Sequence, residues 1–65
     1  MYLNLKAEIK RKGWTQEDLA NNANMPLNTL RWKMAGKSKF SLNEAIIIKQ
    51  ALEVDIPLET LFAQA

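Results

Sequence analysis

Apolar side chains recur every three or four residues along most of the chain, the spacing that lines one face of a helix. This pattern predicts helices over residues 2–12, 16–23, 27–35 and 41–53, and a fifth helix that starts near Pro57. No window shows the alternation of apolar and polar residues that is typical of a strand. The apolar run 45–48 could be taken for a strand by itself, but the sequence on both sides of it has helical spacing. We therefore expect an all-α fold of five short helices.

Short helices joined by tight turns make one compact domain, and their apolar faces are expected to share one core. Trp14 is expected to pack beside the start of helix two. The predicted core comprises Leu5, Ile9, Trp14, Leu19, Ala20, Met25, Leu30, Met34, Leu42, Ala45, Ile48, Leu52, Leu61 and Phe62.

Two predicted helices start with the sequence of a capping box. Thr15 is followed three residues later by Asp18, and Ser41 is followed three residues later by Glu44. In this motif the hydroxyl and the acid satisfy backbone N–H groups that the first helical turn leaves free. Helices two and four are therefore expected to begin at these residues.

The stretch 15–36 has the layout of a helix-turn-helix. Residues 22–24 supply a turn between helices two and three, since asparagine tolerates left-handed backbone angles. Pro26 restarts a helix where its missing N–H costs nothing, and Gly13 and Gly36 stand where helices one and three should end. A short exposed helix held by a partner helix is a common way to enter the DNA major groove.

The composition excludes several classes of function. The chain has 65 residues, which predicts one domain over residues 1–65, and it contains no cysteine and no histidine. Disulfides, thiolate or imidazole metal ligands and histidine acid–base chemistry are therefore excluded, and we expect neither a metal nor a cofactor. No run approaches the ~18 apolar residues of a membrane span, and no signal peptide opens the chain, so a cytoplasmic location is expected.

The net charge is only +2, but the charges are unevenly distributed. Residues 19–43 contain no acid and four cations, whereas residues 44–65 contain four acids and one cation. The basic segment covers helix three and the loop after it, where a phosphate-binding surface would be needed. Such a segment is also compatible with an ordinary solvated face. The four cations are Arg31, Lys33, Lys37 and Lys39.

Helix three presents a distinct outer face when its residues are placed at about 100° intervals. Leu30 and Met34 mark the buried side, and Asn28 and Trp32 lie opposite with Arg31 beside them. Asparagine can form two hydrogen bonds with adenine, and arginine can form two with guanine. The alternative is that the polar residues are simply solvated and that the tryptophan packs in a core. The predicted base-contacting residues are Leu27, Asn28, Arg31 and Trp32.

Polar residues outside helix three form a second group of candidates, for contact with DNA phosphates. Gln16 opens helix two, where backbone N–H groups and the helix dipole favour an anion. The lysines of the loop after helix three either clamp the DNA backbone or simply provide solubility. The predicted phosphate-contacting residues are Gln16, Lys37, Ser38, Lys39 and Asn43.

These segments resemble the Cro/repressor-type helix-turn-helix family, also called lambda-repressor-like or XRE. The resemblance rests on residues 13–20 (GWTQEDLA), 28–30 (NTL), 36–37 (GK), 41–42, 51–54 and 58–62, and thus spans nearly all of the chain. It is closest to short phage-encoded repressor-like proteins of Gram-positive hosts, in which a basic residue, an apolar residue and Asn-Gly-Lys end helix three. The corresponding residues here are 33–37 (KMAGK).

The resemblance implies a five-helix fold, sequence-specific binding to a palindromic double-stranded DNA operator, and transcriptional regulation in the host's cytoplasm at the nucleoid. By position, it also implies base contacts at residues 27, 28, 31 and 32 and a phosphate contact at Gln16. Asn24 departs from the glycine common in the turn, and Pro26 replaces the usual serine or threonine cap. Lys33 stands where many members have an apolar residue, and Met34 is expected to take over its packing.

Specific binding by so small a domain generally requires two copies on a symmetric operator, and the family usually dimerises. We therefore expect a weak homodimer through helices four and five, assembled either in solution or only on DNA. Alternatively, the same side chains complete the monomer core or are scattered exposed apolar residues. The predicted dimer residues are Ile46, Ile47, Leu58 and Phe62.

A protein-interaction module, such as an antirepressor or antitoxin-like partner, is the alternative function, because a fold does not dictate its function. Its contact surface would be the acidic C-terminal third with its apolar stripe. An enzyme is a more distant alternative, since the acids Glu17, Asp18 and Glu44 are explained as capping residues and there is no glycine-rich loop.

Overall fold

The computed structural model describes residues 2–64, which form five helices and no strand. The helices are α1 (Leu3–Arg11), α2 (Gln16–Asn22), α3 (Leu27–Met34), α4 (Leu42–Leu52) and α5 (Leu58–Leu61). The predicted all-α class is confirmed for these residues. The predicted ranges are longer than the observed helices because they include capping residues, whose backbone lies only half within the helix.

The core lies where all five helices meet. Helix α2 packs against α3 and α4, and α5 packs against α1 and α4. Each of α1, α2, α3 and α5 contributes a fully buried leucine, and these meet two buried residues of α4. These six side chains are Leu5, Leu19, Leu30, Leu61, Ile48 and Leu52. Among residues 2–64, no helix is long and apolar enough to cross a membrane.

Most of the predicted core is confirmed, and two residues outside the predicted set also belong to it. Tyr2 and Ala23 are buried at the ends of α1 and α2. Trp14, Met25 and Phe62 are only partly buried and pack against the edge of the core. The buried members of the prediction are Leu5, Ile9, Leu19, Ala20, Leu30, Met34, Ala45, Ile48, Leu52 and Leu61.

The prediction was wrong for Leu42, whose side chain is 68% exposed. Helix α4 faces the core with Ala45, Ile48 and Leu52, and Leu42 lies about 90° from the middle of that face. It is also the first residue of the helix, beyond the reach of the packed turns. Leu42 therefore borders a surface groove instead of entering the core.

Both predicted capping boxes are present. The Thr15 hydroxyl accepts a hydrogen bond from the Asp18 backbone N–H (3.2 Å), and the Asp18 carboxylate accepts one from the Thr15 N–H (2.8 Å). Ser41 and Glu44 form the same pair of bonds at 3.1 and 2.7 Å. Helices α2 and α4 therefore begin where the sequence indicates.

Helices α1, α2 and α3 all end in the same way, with a residue in the left-handed backbone region. Gly13, Asn24 and Gly36 have φ values of +73°, +56° and +81°. In each case this residue and the next donate N–H bonds back to the last helical turn, as in a Schellman motif. The predicted left-handed turn at Asn24 is confirmed. Glu53 at the end of α4 is also left-handed, at +56°, which the sequence did not indicate.

An ion pair fixes α3 against the start of α4. The Lys33 ammonium donates to both carboxylate oxygens of Glu44, at 2.5 and 2.6 Å, and both side chains are largely shielded from water. The Ser41 backbone N–H donates to the same carboxylate. The hydrogen bond from Lys33 is the main cause that lowers the pKa of Glu44 from its ordinary value of 4.5, the bond from Ser41 lowers it further, and partial burial opposes them.

We predict that Glu44→Gln lowers the free energy of unfolding by about 1 kcal/mol at neutral pH. Because the pKa of Glu44 is lower in the folded chain than in the unfolded one, its contribution is complete well above pH 4.5 and is lost as the pH falls through the folded-state pKa. The difference between wild type and variant should therefore shrink in acid. Urea unfolding followed by circular dichroism at several pH values measures it.

Glu17→Gln is the matched control, because Glu17 is exposed and forms no ion pair within residues 2–64. This variant should change the free energy of unfolding less than Glu44→Gln does at neutral pH, because it loses only the favourable position of an acid in the first turn of α2. A Glu44→Gln difference that is equally large in acid and at neutral pH would contradict the assigned role of the ion pair.

Candidate nucleic-acid interface

The outer face of α3 has the rotation that its sequence predicts. Leu30 and Met34 are buried, at 0% and 5% exposure, whereas Asn28, Arg31 and Trp32 are exposed. The fourth predicted base contact, at residue 27, is half-buried and packs against the core, so it belongs only partly to this face. An amide, a guanidinium and an indole are thus presented together on one short helix.

Trp32 is the largest side chain on this face, and 55% of it is exposed. The Lys37 ammonium lies 5.6 Å from the centroid of its ring, a cation–π contact between α3 and the loop that follows. The contact places a positive charge beside an apolar ring. It also brings the predicted phosphate residue Lys37 next to the predicted base-contacting residues.

A cleft of about 370 Å³ joins α1, α2 and α3. Gln16 of α2 and Arg31 of α3, predicted separately as phosphate and base contacts, line it together. Lys6 of α1 lines the same cleft, although the sequence analysis did not select it. Met34 and Ala35 complete its lining, so three polar groups able to bind an anion converge on an otherwise apolar surface.

Lys6 also lines a neighbouring groove on α1 together with Lys10, Trp14 and Gln16. Lys6 and Lys10 are four residues apart and therefore share one face of α1. This four-residue spacing is the sequence signal for the pair of lysines. The structure places both lysines beside Gln16, which was predicted to contact phosphate. The basic surface therefore extends from α3 across α1, beyond the segment 19–43 in which the sequence concentrates positive charge.

One of the four cations in segment 19–43 forms an ion pair with another residue of the protein. Lys33 pairs with Glu44, whereas Arg31, Lys37 and Lys39 form no ion pair within residues 2–64. Three positive charges of this segment therefore remain available to an external anion, one fewer than the sequence indicated.

The remaining predicted phosphate residues lie elsewhere. Ser38 and Asn43 are exposed, and the structure does not bring them into the cleft beside Arg31. Lys39 lines a different groove, of about 390 Å³, between the start of α4 and α5. The five predicted phosphate contacts are thus not gathered into one surface.

The groove that contains Lys39 also contains two of the predicted dimer residues, Leu58 and Phe62. Ile46 and Ile47 lie outside its lining, on the outer surface of α4, with 37% and 45% of each side chain exposed. The predicted dimer residues therefore belong to one helical region but not to one patch.

Within residues 2–64, no group of three or more acidic side chains is arranged to hold a metal ion. Comparison of the chain with models of protein families, with curated proteins and with solved structures finds no match in any of the three.

Proposed function

We propose that the chain is a sequence-specific double-stranded DNA-binding regulator of the Cro/repressor type. In this proposal α2 and α3 act as a helix-turn-helix, and α3 enters the major groove. The observation that carries the proposal is the outer face of α3, where Asn28, Arg31 and Trp32 are exposed on a helix anchored by Leu30 and Met34.

The connection between α2 and α3 supports this proposal. Only residues 23–26 separate the two helices, and Asn24 turns the chain in the left-handed conformation. Helix-turn-helix motifs use a turn of about three or four residues. The two helices pack against each other, so α2 can hold α3 rigidly from behind.

Each group on the outer face of α3 would read DNA in its own way. The Asn28 amide can donate to and accept from the edge of adenine, and the Arg31 guanidinium can donate twice to guanine. The Trp32 ring offers an apolar surface to a thymine methyl group or a sugar. Together these groups cover the polar and apolar features by which the major groove distinguishes base pairs.

Phosphate contacts would position α3 in the groove. Lys6 and Gln16 line the same cleft as Arg31, and Lys37 lies beside Trp32. A DNA strand that bordered the occupied groove would therefore meet cations and an amide donor next to the base-reading residues. Such contacts fix register and contribute the salt-dependent part of the affinity.

A domain of this size reads few base pairs, so the proposed operator is palindromic and is bound by two copies that associate weakly through the α4–α5 region. The proposed place of action is the cytoplasm of a bacterial host, where the operator is located. The proposed activity is binding alone, without a catalytic step.

We predict that the protein selects a palindromic sequence from a random pool of duplex DNA. Its affinity, measured by fluorescence anisotropy, should fall steeply with salt because bound lysines and arginines displace counterions. Sequencing of the tightest-bound fraction identifies the site. The absence of binding at low salt would contradict the proposal and favour a protein partner, whereas salt-dependent binding without enrichment would indicate nonspecific binding.

We predict that Arg31→Ala weakens binding to the selected site by about 1–3 kcal/mol and relaxes the preference at one base pair. Arg31→Lys is the matched control, because it keeps the charge but loses the planar fork that contacts guanine twice. It should retain the salt dependence of wild type and weaken the preference, though less than Arg31→Ala does, because the lysine ammonium can still donate to guanine. Equal preferences in all three proteins would exclude base reading by Arg31.

We predict that Lys6→Gln lowers affinity about equally for all DNA sequences and reduces the slope of log affinity against log salt by about 0.9 for each lost contact. Lys49→Gln removes the same charge from α4, outside the cleft that contains Lys6. It should leave the slope close to that of wild type. If the two variants reduce the slope equally, Lys6 acts only through net charge and not through a phosphate contact.

A further inference from the structure

The outer face of α1 borders a groove of about 420 Å³, the α1 groove, which extends to the start of α2. Its apolar lining residues are Leu3, Ala7, Ile9 and Trp14. Leu3 is 52% exposed, and Trp14 is half-buried. The Lys12 ammonium lies 4.8 Å from the centroid of the Trp14 ring, a cation–π contact that holds the indole beside the groove. An apolar surface is thus accessible to a partner on α1.

The charged residues that line the α1 groove are both positive. Lys6 and Lys10 line it, and within residues 2–64 no acid lines it and neither lysine forms an ion pair. The next two cations of the chain are paired, one with Glu8 and the other with Glu53. The positive charge that these pairs leave over is therefore concentrated at the α1 groove, which is complementary to an acidic partner.

The apolar and the basic residues of the α1 groove both repeat at the interval of one helical turn. Leu3 and Ala7 are four residues apart, and so are Lys6 and Lys10, so α1 presents an apolar row beside a basic row. Residues at this spacing lie about 5–6 Å apart on a helix surface. A second helix with leucines and glutamates at the same spacing would therefore meet both rows in register.

The apolar row favours a protein segment over DNA or a membrane as the occupant. A DNA backbone would pair with the lysines, but its phosphates offer no apolar surface to cover Leu3. A membrane surface takes up protruding apolar side chains, whereas Ile9 is only 5% exposed and Trp14 packs against the core. An acidic amphipathic helix satisfies the charge and the apolar surface together.

We propose that the α1 groove binds an acidic amphipathic helix of another protein. Carboxylates of the bound helix pair with Lys6 and Lys10, and its apolar side chains cover Leu3 beside Trp14. Because Lys6 also lines the cleft that contains Arg31, the bound helix displaces DNA. This competition rests on the proposed function, whereas binding of the helix does not.

A synthetic peptide tests the binding directly. The probe is a helix of about 15 residues, long enough to form in water, with two glutamates and two leucines at four-residue intervals on one face of an alanine and glutamine background. Titration into ¹⁵N-labelled protein at low salt should shift the amide signals of residues 3–10 and the indole signal of Trp14. The indole of Trp32 lies outside the groove and is the internal control.

Binding of this peptide is expected to be weak, with a dissociation constant on the order of 0.1–1 mM, because the groove is far smaller than a standard interface. A peptide of the same composition, with the glutamates on the face opposite the leucines, should bind about fivefold more weakly because it cannot meet both rows. No shift at millimolar peptide, equal binding of the two peptides, or shifts confined to other helices would each overturn the proposal.

Lys10 is the residue whose substitution tests the charge contact, because it lines the α1 groove but not the cleft that contains Arg31. Lys10→Glu should weaken peptide binding on the order of tenfold, since an attraction becomes a repulsion. Lys49→Glu makes the same charge change on α4, outside the groove, and should weaken binding by less than about twofold. Equal losses would show an effect of net charge alone and would overturn the groove contact.

A leucine pair tests the apolar half of the contact. Leu3→Ala should weaken peptide binding roughly fivefold, because less apolar surface is then buried. Leu42→Ala is the matched control, since Leu42 is 68% exposed on α4 and lies outside the α1 groove. Both side chains are exposed, so each variant should keep the circular dichroism of wild type. Equal effects of the two substitutions would overturn the apolar contact.

Competition with DNA separates this inference from the proposed function. Added peptide should displace labelled duplex DNA, as measured by fluorescence anisotropy, and simultaneous binding of both would overturn the competition. Peptide binding without any DNA binding would overturn the proposed function and leave the groove contact intact. A Trp14 indole signal that shifts with duplex DNA or with anionic phospholipid vesicles, but not with the peptide, would overturn this inference alone.

Discussion

The carboxylate of Glu44 makes the contact on which the position of α3 depends. It receives hydrogen bonds from the Lys33 ammonium and from the Ser41 backbone N–H, so one side chain both caps α4 and holds α3. Helix α3 has eight residues, and its buried side chains Leu30 and Met34 set which side of the helix faces the core, while the ion pair attaches its last turn to the start of α4. Because the pair is largely shielded, salt weakens it less than it would weaken an exposed ion pair. The orientation of the outer face of α3 follows from these buried side chains together with the ion pair.

The second constraint on the fold is that the backbone N–H and C=O groups at the helix ends need hydrogen-bond partners. A helix of seven to nine residues leaves a large share of its N–H and C=O groups without partners inside the helix. Capping boxes satisfy the starts of α2 and α4, prolines precede α3 and α5, and the left-handed residues after α1, α2 and α3 return N–H groups to the last turns. Turns of only a few residues are possible because these groups are satisfied locally. The chain can therefore bring five helices onto one small core.

The packed helices present two surfaces of different chemistry. The surface formed by α1, α2 and α3 is basic and carries exposed polar and aromatic groups, whereas the groove between α4 and α5 is apolar with one charge of each sign on its rim. Lys39 illustrates why position in the sequence is a poor guide to such surfaces. It belongs to the basic segment of the sequence, yet its side chain lines the apolar groove.

Features that depend on neighbouring residues can be predicted from the amino-acid sequence alone. The capping boxes and the buried side of α3 follow from spacings of three or four residues, the turn at Asn24 follows from the backbone preference of asparagine, and the structure confirms all three. Three other features depend on how the helices pack: the exposure of Leu42, the pairing of Lys33 with Glu44, and the convergence of Lys6 with Gln16 and Arg31. Helical periodicity specifies which side chains share a face, but the partner of that face depends on how distant helices pack. Contacts such as that of Tyr2 with Gln64 join residues at opposite ends of the chain, and no local pattern encodes them.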